Sequence, residues 1–330
     1  MLEIINNCND PYFNLALEEY VVKNIDISSL FIIWQNSPTV VIGKNQNALE
    51  EVNMEFIRQE QINLVRRISG GGAVYHDFGN INFTFVAEAG KGVVFDFERF
   101  TQPIIKTLDK IGIKAEHNGR NDITIDGRKF SGNAQFRYGN RVMHHGTLLY
   151  NVNLENMAQA LNVSEEKMIS KGVKSVKSRV TNISEHLATE LTVEEFKELL
   201  VKNLKSEANI VDTYELTPDD LVKINELCNT KYRTWDWNIG KSPDYNVRKQ
   251  KRFAWGSIEV LLKLDQGMIN NCKIFGDFFA AQDIDLLENE FKGLPYEKKA
   301  IESLLDKINI ADYLPNTNNT EILELIFAEE

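Results

Sequence analysis

The chain is poor in cysteine, has no long apolar run and carries a deficit of positive charge, and each shortage narrows what it can be. Its 330 residues hold three cysteines, Cys8, Cys228 and Cys272, scattered without paired or metal-type spacing. That argues against a disulfide-built secreted scaffold and against a cysteine metal centre, so a reducing cytoplasm is the expected compartment. The longest apolar runs, such as Leu30-Phe31-Ile32-Ile33-Trp34, are strand-sized and far below the ~20 residues a bilayer span requires, so no membrane partner is expected. Met1-Leu2-Glu3-Ile4-Ile5 has neither a basic leader nor a cleavage site and does not read as a signal peptide. Lys and Arg number 37 against 48 Asp and Glu, a net charge of −11, which removes the main electrostatic argument for a nucleic-acid partner. No internal repeat or low-complexity segment appears.

What is present reads as a soluble α/β (α+β) protein of two domains, since ~100–200 residues is the usual size of one. Asp10-Pro11 reads as an N-cap followed by the first residue of a helix. Strands are expected over 30–34 and 39–43, a short helix near 53–61, a strand over 82–86 and a helix from about 99 to 111. Asp126-Gly127 between Ile123-Thr124-Ile125 and Phe130 signals a tight hairpin. A strand from Val142, a helix over 154–161, a helix opened by the capping box Thr192-x-x-Glu195 and another near Thr217-Pro218 follow. Between about Asn238 and Arg252 the composition turns polar and rich in turn formers, as a linker would be. We therefore expect a large domain over 1–245 and a small α+β domain over 249–330, the latter with a hairpin around Asp265-Gln266-Gly267.

The run Arg66-Arg67-Ile68-Ser69-Gly70-Gly71-Gly72-Ala73-Val74-Tyr75-His76-Asp77 carries the strongest chemical signal. Successive glycine amides can form an anion-binding concavity, and neighbouring guanidinium groups add always-charged donors. The bland alternative is a tight surface turn with solvated arginines. Two further blocks raise the odds of a site: Gly119-Arg120-Asn121-Asp122 with Lys129-Phe130-Ser131-Gly132, and His144-His145-Gly146-Thr147-Leu148. If the last is a strand, one histidine of the pair points inward. Local concentrations of Lys and Arg at 120–141 and 167–179 could line a site for something small and anionic.

In this order, with Lys171-Gly172-x-Lys174-Ser175-Val176-x-Ser178-Arg179 and Trp235-Asp236-Trp237-Asn238 further on, the blocks make the chain resemble the lipoate–protein ligase family over nearly its whole length. The resemblance implies a large catalytic domain of the biotin/lipoate-ligase type with mixed β-sheets and flanking helices, plus a small C-terminal domain. It implies activation of lipoate by ATP to lipoyl-AMP, with Mg2+, then transfer of the lipoyl group to a lysine of an acceptor: an E2 lipoyl domain of a 2-oxoacid dehydrogenase or the glycine-cleavage H protein. Carried over, Lys129 is the catalytic lysine that meets both the lipoyl carboxyl group and the nucleotide. Arg67, Gly72, Ala73, Val74, Tyr75, Asn121 and Asp122 belong to the ATP site, with Asp122 a candidate metal ligand. Arg66, Ser69, Gly70, Gly71, His76 and His145 belong to the lipoate site. The apolar lining of the acyl tunnel is left to strand residues that the motifs do not identify.

The chemistry suits these residues, because a carboxylate attacking an α-phosphate brings two anions together and needs fixed positive charge and amide donors. The nearest rival is an ATP-independent octanoyl or lipoyl transferase acting between carrier proteins. Those relatives use a cysteine nucleophile, and none of the three cysteines lies in these blocks. A biotin–protein ligase has a different signature in its glycine loop, and a non-enzymatic binding protein would leave Lys129 idle. Without the Lys-Ser/Thr ending of a P-loop, the glycine run is expected to cradle an acyl-adenylate rather than a transferred γ-phosphate.

Overall fold

The structure is a computed structural model and describes residues 1–89, 95–118, 121–162, 179–207, 212–240 and 245–327. Gly119 and Arg120, the lysine-rich run 167–178 and linker positions 241–244 lie outside the described residues. Strand β1 (Leu2–Ile5) leads into helix α1 (Pro11–Asn24), β2 (Ser29–Trp34) and β3 (Thr39–Ile42). Short helices α2 (Ala48–Glu51) and α3 (Met54–Gln59) precede β4 (Asn63–Arg66), β5 (Val74–His76) and β6 (Asn80–Glu88). Helix α4 (Phe97–Lys110) is followed by β7 (Glu116–Asn118), β8 (Asp122–Ile125), β9 (Arg128–Tyr138) and β10 (Arg141–Leu149). Helices α5 (Leu154–Ala160), α6 (Val193–Glu207), α7 (Pro218–Leu227) and α8 (Trp235–Asn238) come next. The C-terminal part holds β11 (Val247–Phe253), β12 (Gly256–Asp265), β13 (Met268–Gly276), α9 (Ile284–Phe291), α10 (Lys298–Leu305) and α11 (Asn319–Phe327).

Local chemistry accounts for the element ends. The Asp10 carboxylate accepts from the Tyr12 amide at 3.0 Å, and Pro11, which has no amide to leave unpaired, is the first helical residue. Thr192 and Glu195 bond reciprocally, the Glu195 amide to Thr192 Oγ1 at 3.2 Å and the Thr192 amide to Glu195 Oε2 at 2.7 Å. Asp126 and Gly127, with φ of 50° and 72°, make the tight turn between β8 and β9. One stretch departs from expectation. The segment read as linker up to Arg252 contains β11, whose middle, Arg248 to Arg252, is polar throughout. It is an edge strand held by backbone pairing to β12 rather than by an apolar face, so its composition hides it.

Seven strands in the order β1-β2-β6-β10-β9-β8-β7 form the main sheet, β4-β3-β5 a second and β11-β12-β13 a third. The pairs β1–β2 and β3–β4 are parallel and the others antiparallel, so two of the three sheets are mixed. Alternation of side chains gives the main sheet two different faces. Phe31, Phe83 and Phe85 pack against Phe100 and Ile104 of α4 and Phe196 and Leu200 of α6. Leu30, Ile32, Val86 and Met143 face the other way, toward Leu15 and Leu17 of α1 and Val41 and Val65 of the second sheet. A third core joins β12 and β13 to the C-terminal helices through Ile258, Val260, Leu287, Phe291 and Leu325. The end of β13 and the loop after it reach across to the large unit: the Gly276 amide donates to Asn45 O at 2.7 Å and the Gly71 amide to Phe278 O at 3.3 Å.

Candidate active site

A narrow cavity of about 90 Å3 lies between the α1-facing side of the main sheet and the glycine run. Strand register sets its floor. Trp34 of β2 pairs with Asn82 of β6, Asn82 with Thr147 of β10, and Thr147 Oγ1 accepts from the Gly132 amide of β9 at 3.1 Å. These four therefore stand in one row on one face, about 14 Å long at the usual spacing between strands. At the Trp34 end the walls are buried apolar residues, Leu15 and Val41. At the Gly132 end stands Lys129, whose side chain is 34% exposed. The cavity is thus buried at the Trp34 end, where His76 and Asn82 stand among the apolar walls, and more exposed and charged at the other.

Lys129 owes its position to an irregularity in β9. Ile123 pairs with Ser131, but the next pair is Thr124 with Lys129, so Phe130 is an extra residue. In a regular strand residues 129 and 132 would face opposite sides. The bulge resets the alternation and brings both to the cavity while Phe130 is sunk in the core on the other face. Gly132 also makes room, because a Cβ there would lie 2.8 Å from Lys129 Nζ. Lys129 Nζ donates to Asp122 Oδ1 at 2.7 Å. Its backbone bonds on both sides with the segment after the hairpin, the amide to Arg179 O at 2.8 Å and the carbonyl from the Thr181 amide at 2.9 Å. Asn121 and Asn133 exchange side-chain-to-backbone hydrogen bonds of 2.8 Å and 3.0 Å, which ties the turn before β8 to the cavity wall.

The glycines have distinct jobs. A Cβ on Gly70 would come within 2.5 Å of Phe278 O, and Gly71 combines a φ of +91° with a Cβ position 3.0 Å from Arg67 Nη2. Both therefore admit close neighbours that a side chain would displace. Around Gly72 there is open space, and this residue faces the cavity. Arg67 is buried in the middle of the loop it organises. Its Nη2 donates to Gly70 O at 2.7 Å and Gly72 O at 2.9 Å, Nη1 to Val41 O at 3.3 Å and Nε to Ser69 Oγ at 3.0 Å. Burial pulls the Arg67 pKa down to about 10, opposed by Glu18, so it stays cationic at neutral pH. Arg66 points away. Its guanidinium donates to the carbonyls of Gly43, Lys44, Gln46, Trp237 and Asn238, and it is not among the cavity-lining residues.

The adjacent histidines of β10 go to opposite faces. His145 lines the cavity; its Nδ1 donates to Glu18 Oε1 at 2.9 Å, and its Nε2 faces the Ser69 hydroxyl at 2.7 Å. Glu18 Oε1 also accepts from Thr84 Oγ1 at 2.5 Å. Glu18 on α1 thereby connects through His145 and Ser69 to Arg67 and the glycine run. His144 is sealed in the other face between the rings of Phe83 and Phe100, with Nδ1 2.9 Å from Gln135 Nε2 and Nε2 3.1 Å from Asn133 Oδ1. Burial holds its pKa well below the ordinary range, so it is neutral.

Of the residues expected in the site, Arg67, Gly71, Gly72, Ala73, Val74, His76, Asn121, Lys129 and His145 line the cavity. Asp122 touches it through Lys129. Ser69 and Gly70 stand one layer behind, and Tyr75 is packed in a separate core with Val40 and Ile42. Arg66, expected in the acyl cradle, instead clamps the loops after β3 and at α8. The motifs did not single out Glu18, Trp34 or Asn82. Alternation sorts residues to faces along one strand, but only the pairing register sets Trp34 of β2 opposite Asn82 of β6 on a common face.

A slot with buried apolar walls at one end and a lysine–carboxylate pair at the other suits an amphipathic acid whose carboxyl end is to react. The lipoyl protein ligase A/B catalytic domain matches residues 10–205, and the bacterial lipoate protein ligase C-terminus matches 242–326. Lipoate-protein ligase LplJ of Bacillus subtilis is 43% identical over 331 residues, spanning 99% of this chain and 100% of that protein. The crystal structure of P. falciparum LipL1 in complex with lipoate is similar with a TM-score of 0.82 at 28% identity, covering 99% of each chain. A bi-partite lipoate protein ligase from Thermoplasma acidophilum, studied with its E2 lipoyl domain, is similar with a TM-score of 0.64 at 26% identity, covering 74% of this chain and 98% of that one. The chain belongs to the lipoate–protein ligase family.

Proposed function

We propose that the chain activates lipoate with ATP and transfers the lipoyl group to the ε-amine of an acceptor lysine. The observation that carries this is the cavity itself: an acyl chain laid along the row from Trp34 to Gly132 brings its carboxyl group to Lys129. In the first step a lipoate carboxylate oxygen attacks the α-phosphorus, the Pα–O–Pβ bond breaks and pyrophosphate leaves. Lys129 turns from Asp122 to the meeting anions, where a compact point charge serves changing partners. The Gly72 segment offers amide donors, and Arg67 acts by holding the carbonyls of Gly70 and Gly72 so that the loop keeps its shape. In the second step the acceptor amine attacks the acyl carbonyl, AMP departs, and the amide nitrogen loses a proton.

Asp122 fits a supporting role toward Mg2+, which keeps several waters and takes one or two carboxylates together with substrate phosphates. Among the described residues no group of three His, Cys, Asp or Glu could hold a metal ion by itself, so such an ion would be held jointly with the nucleotide. When bound it would supply charge neutralisation at the phosphates. Acceptors on this reading are E2 lipoyl domains or the H protein. The same reading takes residues 1–245 as the catalytic unit and the chain from 249 as an accessory unit, in a cytoplasmic protein. No helix among the described residues is long and apolar enough to cross a membrane.

The test is to mix the chain with lipoate, ATP, Mg2+ and an acceptor domain, and to follow pyrophosphate release and acceptor mass. ATP-dependent release with lipoylation of the acceptor is expected. Transfer from an acylated carrier without ATP supports the transferase instead. Lys129→Ala should lower pyrophosphate release at least about a hundredfold while circular dichroism and the unfolding midpoint stay at parental values, since the side chain supports no core.

A further inference from the structure

The buried end of the cavity contains two polar side chains whose hydrogen-bonding capacity is not used up. His76 Nε2 and Asn82 Nδ2 are buried without a partner among the described residues, and both residues line the cavity. Buried polar groups are almost always paired, so two orphans in one apolar pocket ask for a ligand atom.

The polarity of the first is fixed by a chain of hydrogen bonds starting at the backbone. Asn14 Nδ2 lies 2.9 Å from the carbonyl oxygens of Cys8 and Gln35, which only donors can face. The same Nδ2 lies 2.9 Å from Asn36 Oδ1. Asn36 therefore turns its Nδ2 to His76 Nδ1, at 3.1 Å. His76 Nδ1 must accept, so the ring proton sits on Nε2, which is the unpartnered atom. The ring is neutral: burial, with Arg67 and His145 nearby, lowers its pKa to about 3. His76 thus presents an N–H donor. Asn82 is bonded to Asn80 at 2.9 Å. Whichever way that amide pair is turned, one polar atom of Asn82 is left without a partner among the described residues, Nδ2 in the arrangement observed, as is Asn80 Oδ1, but of the two residues only Asn82 lines the cavity.

Position distinguishes these groups from the reacting end. Asn82 is next to Trp34 in the floor row, two strands from Gly132 and Lys129, and the His76 ring lies edge-on to Trp34 at 6.3 Å. A substrate whose carboxyl group meets Lys129 therefore places its distal end here. On the ligase reading that end is the dithiolane ring, whose two sulfurs are soft, weak acceptors. We propose that His76 Nε2–H and the Asn82 amide form a sulfur-reading subsite that hydrogen-bonds the dithiolane and sets a preference for lipoate over octanoate. An octanoyl methyl end would fill the same space and leave both groups unpaired. A site with buried donors discriminates against the analogue that cannot satisfy them, whereas a purely apolar pocket barely separates the two chains.

The inference rests on the lipoate-ligase reading, and the experiment separates the two. The unmodified chain is titrated calorimetrically with lipoate and with 5-cyclopentylpentanoate, which keeps the ring and chain but replaces both sulfurs by methylenes. Lipoate should bind roughly three- to tenfold more tightly; equal affinity overturns the subsite. In parallel, the ratio of kcat/KM for lipoate to that for octanoate, read by pyrophosphate release, should fall roughly three- to tenfold in Asn82→Leu and in His76→Phe. A ratio unchanged in both folded variants overturns it as well. If the parent releases no pyrophosphate with lipoate, the ligase reading fails, and the titration still decides the subsite.

Discussion

Two buried polar clusters on opposite sides of the main sheet are bonded in opposite ways. On the α4 side, His144 is stacked between two phenylalanines and both its ring nitrogens face partners, Gln135 and Asn133. On the α1 side, Asn82 Nδ2 of β6 and His76 Nε2 of β5, in the second sheet, have no partner among the described residues. The first arrangement is a satisfied core, where polar groups fix the geometry of β9 and β10. The second is a site built at some cost to stability, as expected where a ligand is to complete the bonding. Neither burial nor an unpartnered atom marks a site alone, since Gln46, Asn80, His117 and Thr317 carry such atoms too; His76 and Asn82 differ in that both also line the cavity.

His144→Leu leaves Gln135 and Asn133 without their partner, and should cost about 1–3 kcal/mol in urea unfolding. A smaller loss would mean the stacked histidine is not the pin that the geometry makes it. The acid limb sharpens the contrast next. His76 has a folded pKa near 3 against an ordinary 6.5, so between those values the unfolded chain binds the extra proton. Stability therefore falls as pH drops from 6.5 toward 3. His76→Phe should flatten that slope in unfolding midpoints taken across the range; an unaltered slope would show that other groups govern it. The smallest effect is a near balance. Asn82→Leu removes an unpartnered Nδ2 but also the Oδ1 that accepts from Asn80 Nδ2, so the gain and the loss offset and stability should change by no more than about 1 kcal/mol. A larger loss would mean that Asn82 Nδ2 also has a partner.

Legibility in the sequence followed the range of the interactions. Asp10-Pro11, the Asp126-Gly127 turn and the Thr192–Glu195 box each announce an element through contacts within a few residues, and the helices and hairpin stand where expected. Lys129 was visible because it lies in a motif beside such a turn. Arg66 and Arg67 show the limit. Adjacent and chemically identical, they alternate off β4, and one organises the glycine loop while the other is used up on carbonyls of loops up to 172 residues away. Strand β11 was hidden because its partner, rather than its own pattern, makes it a strand.

Residue types and spacing by themselves determined the capped helices and tight hairpins, the glycine run's capacity to approach anions, the presence of a lysine at a hairpin and the family likeness. They did so because turns, caps and motifs act through covalent neighbours. Only the tertiary structure decided that an extra residue at Phe130 turns Lys129 to the same face as Gly132, that Glu18 reaches His145, and that Trp34, Asn82, Thr147 and Gly132 form one row. Register between strands distant in sequence is a property of pairing, and one slipped residue would send each of those side chains to the other face.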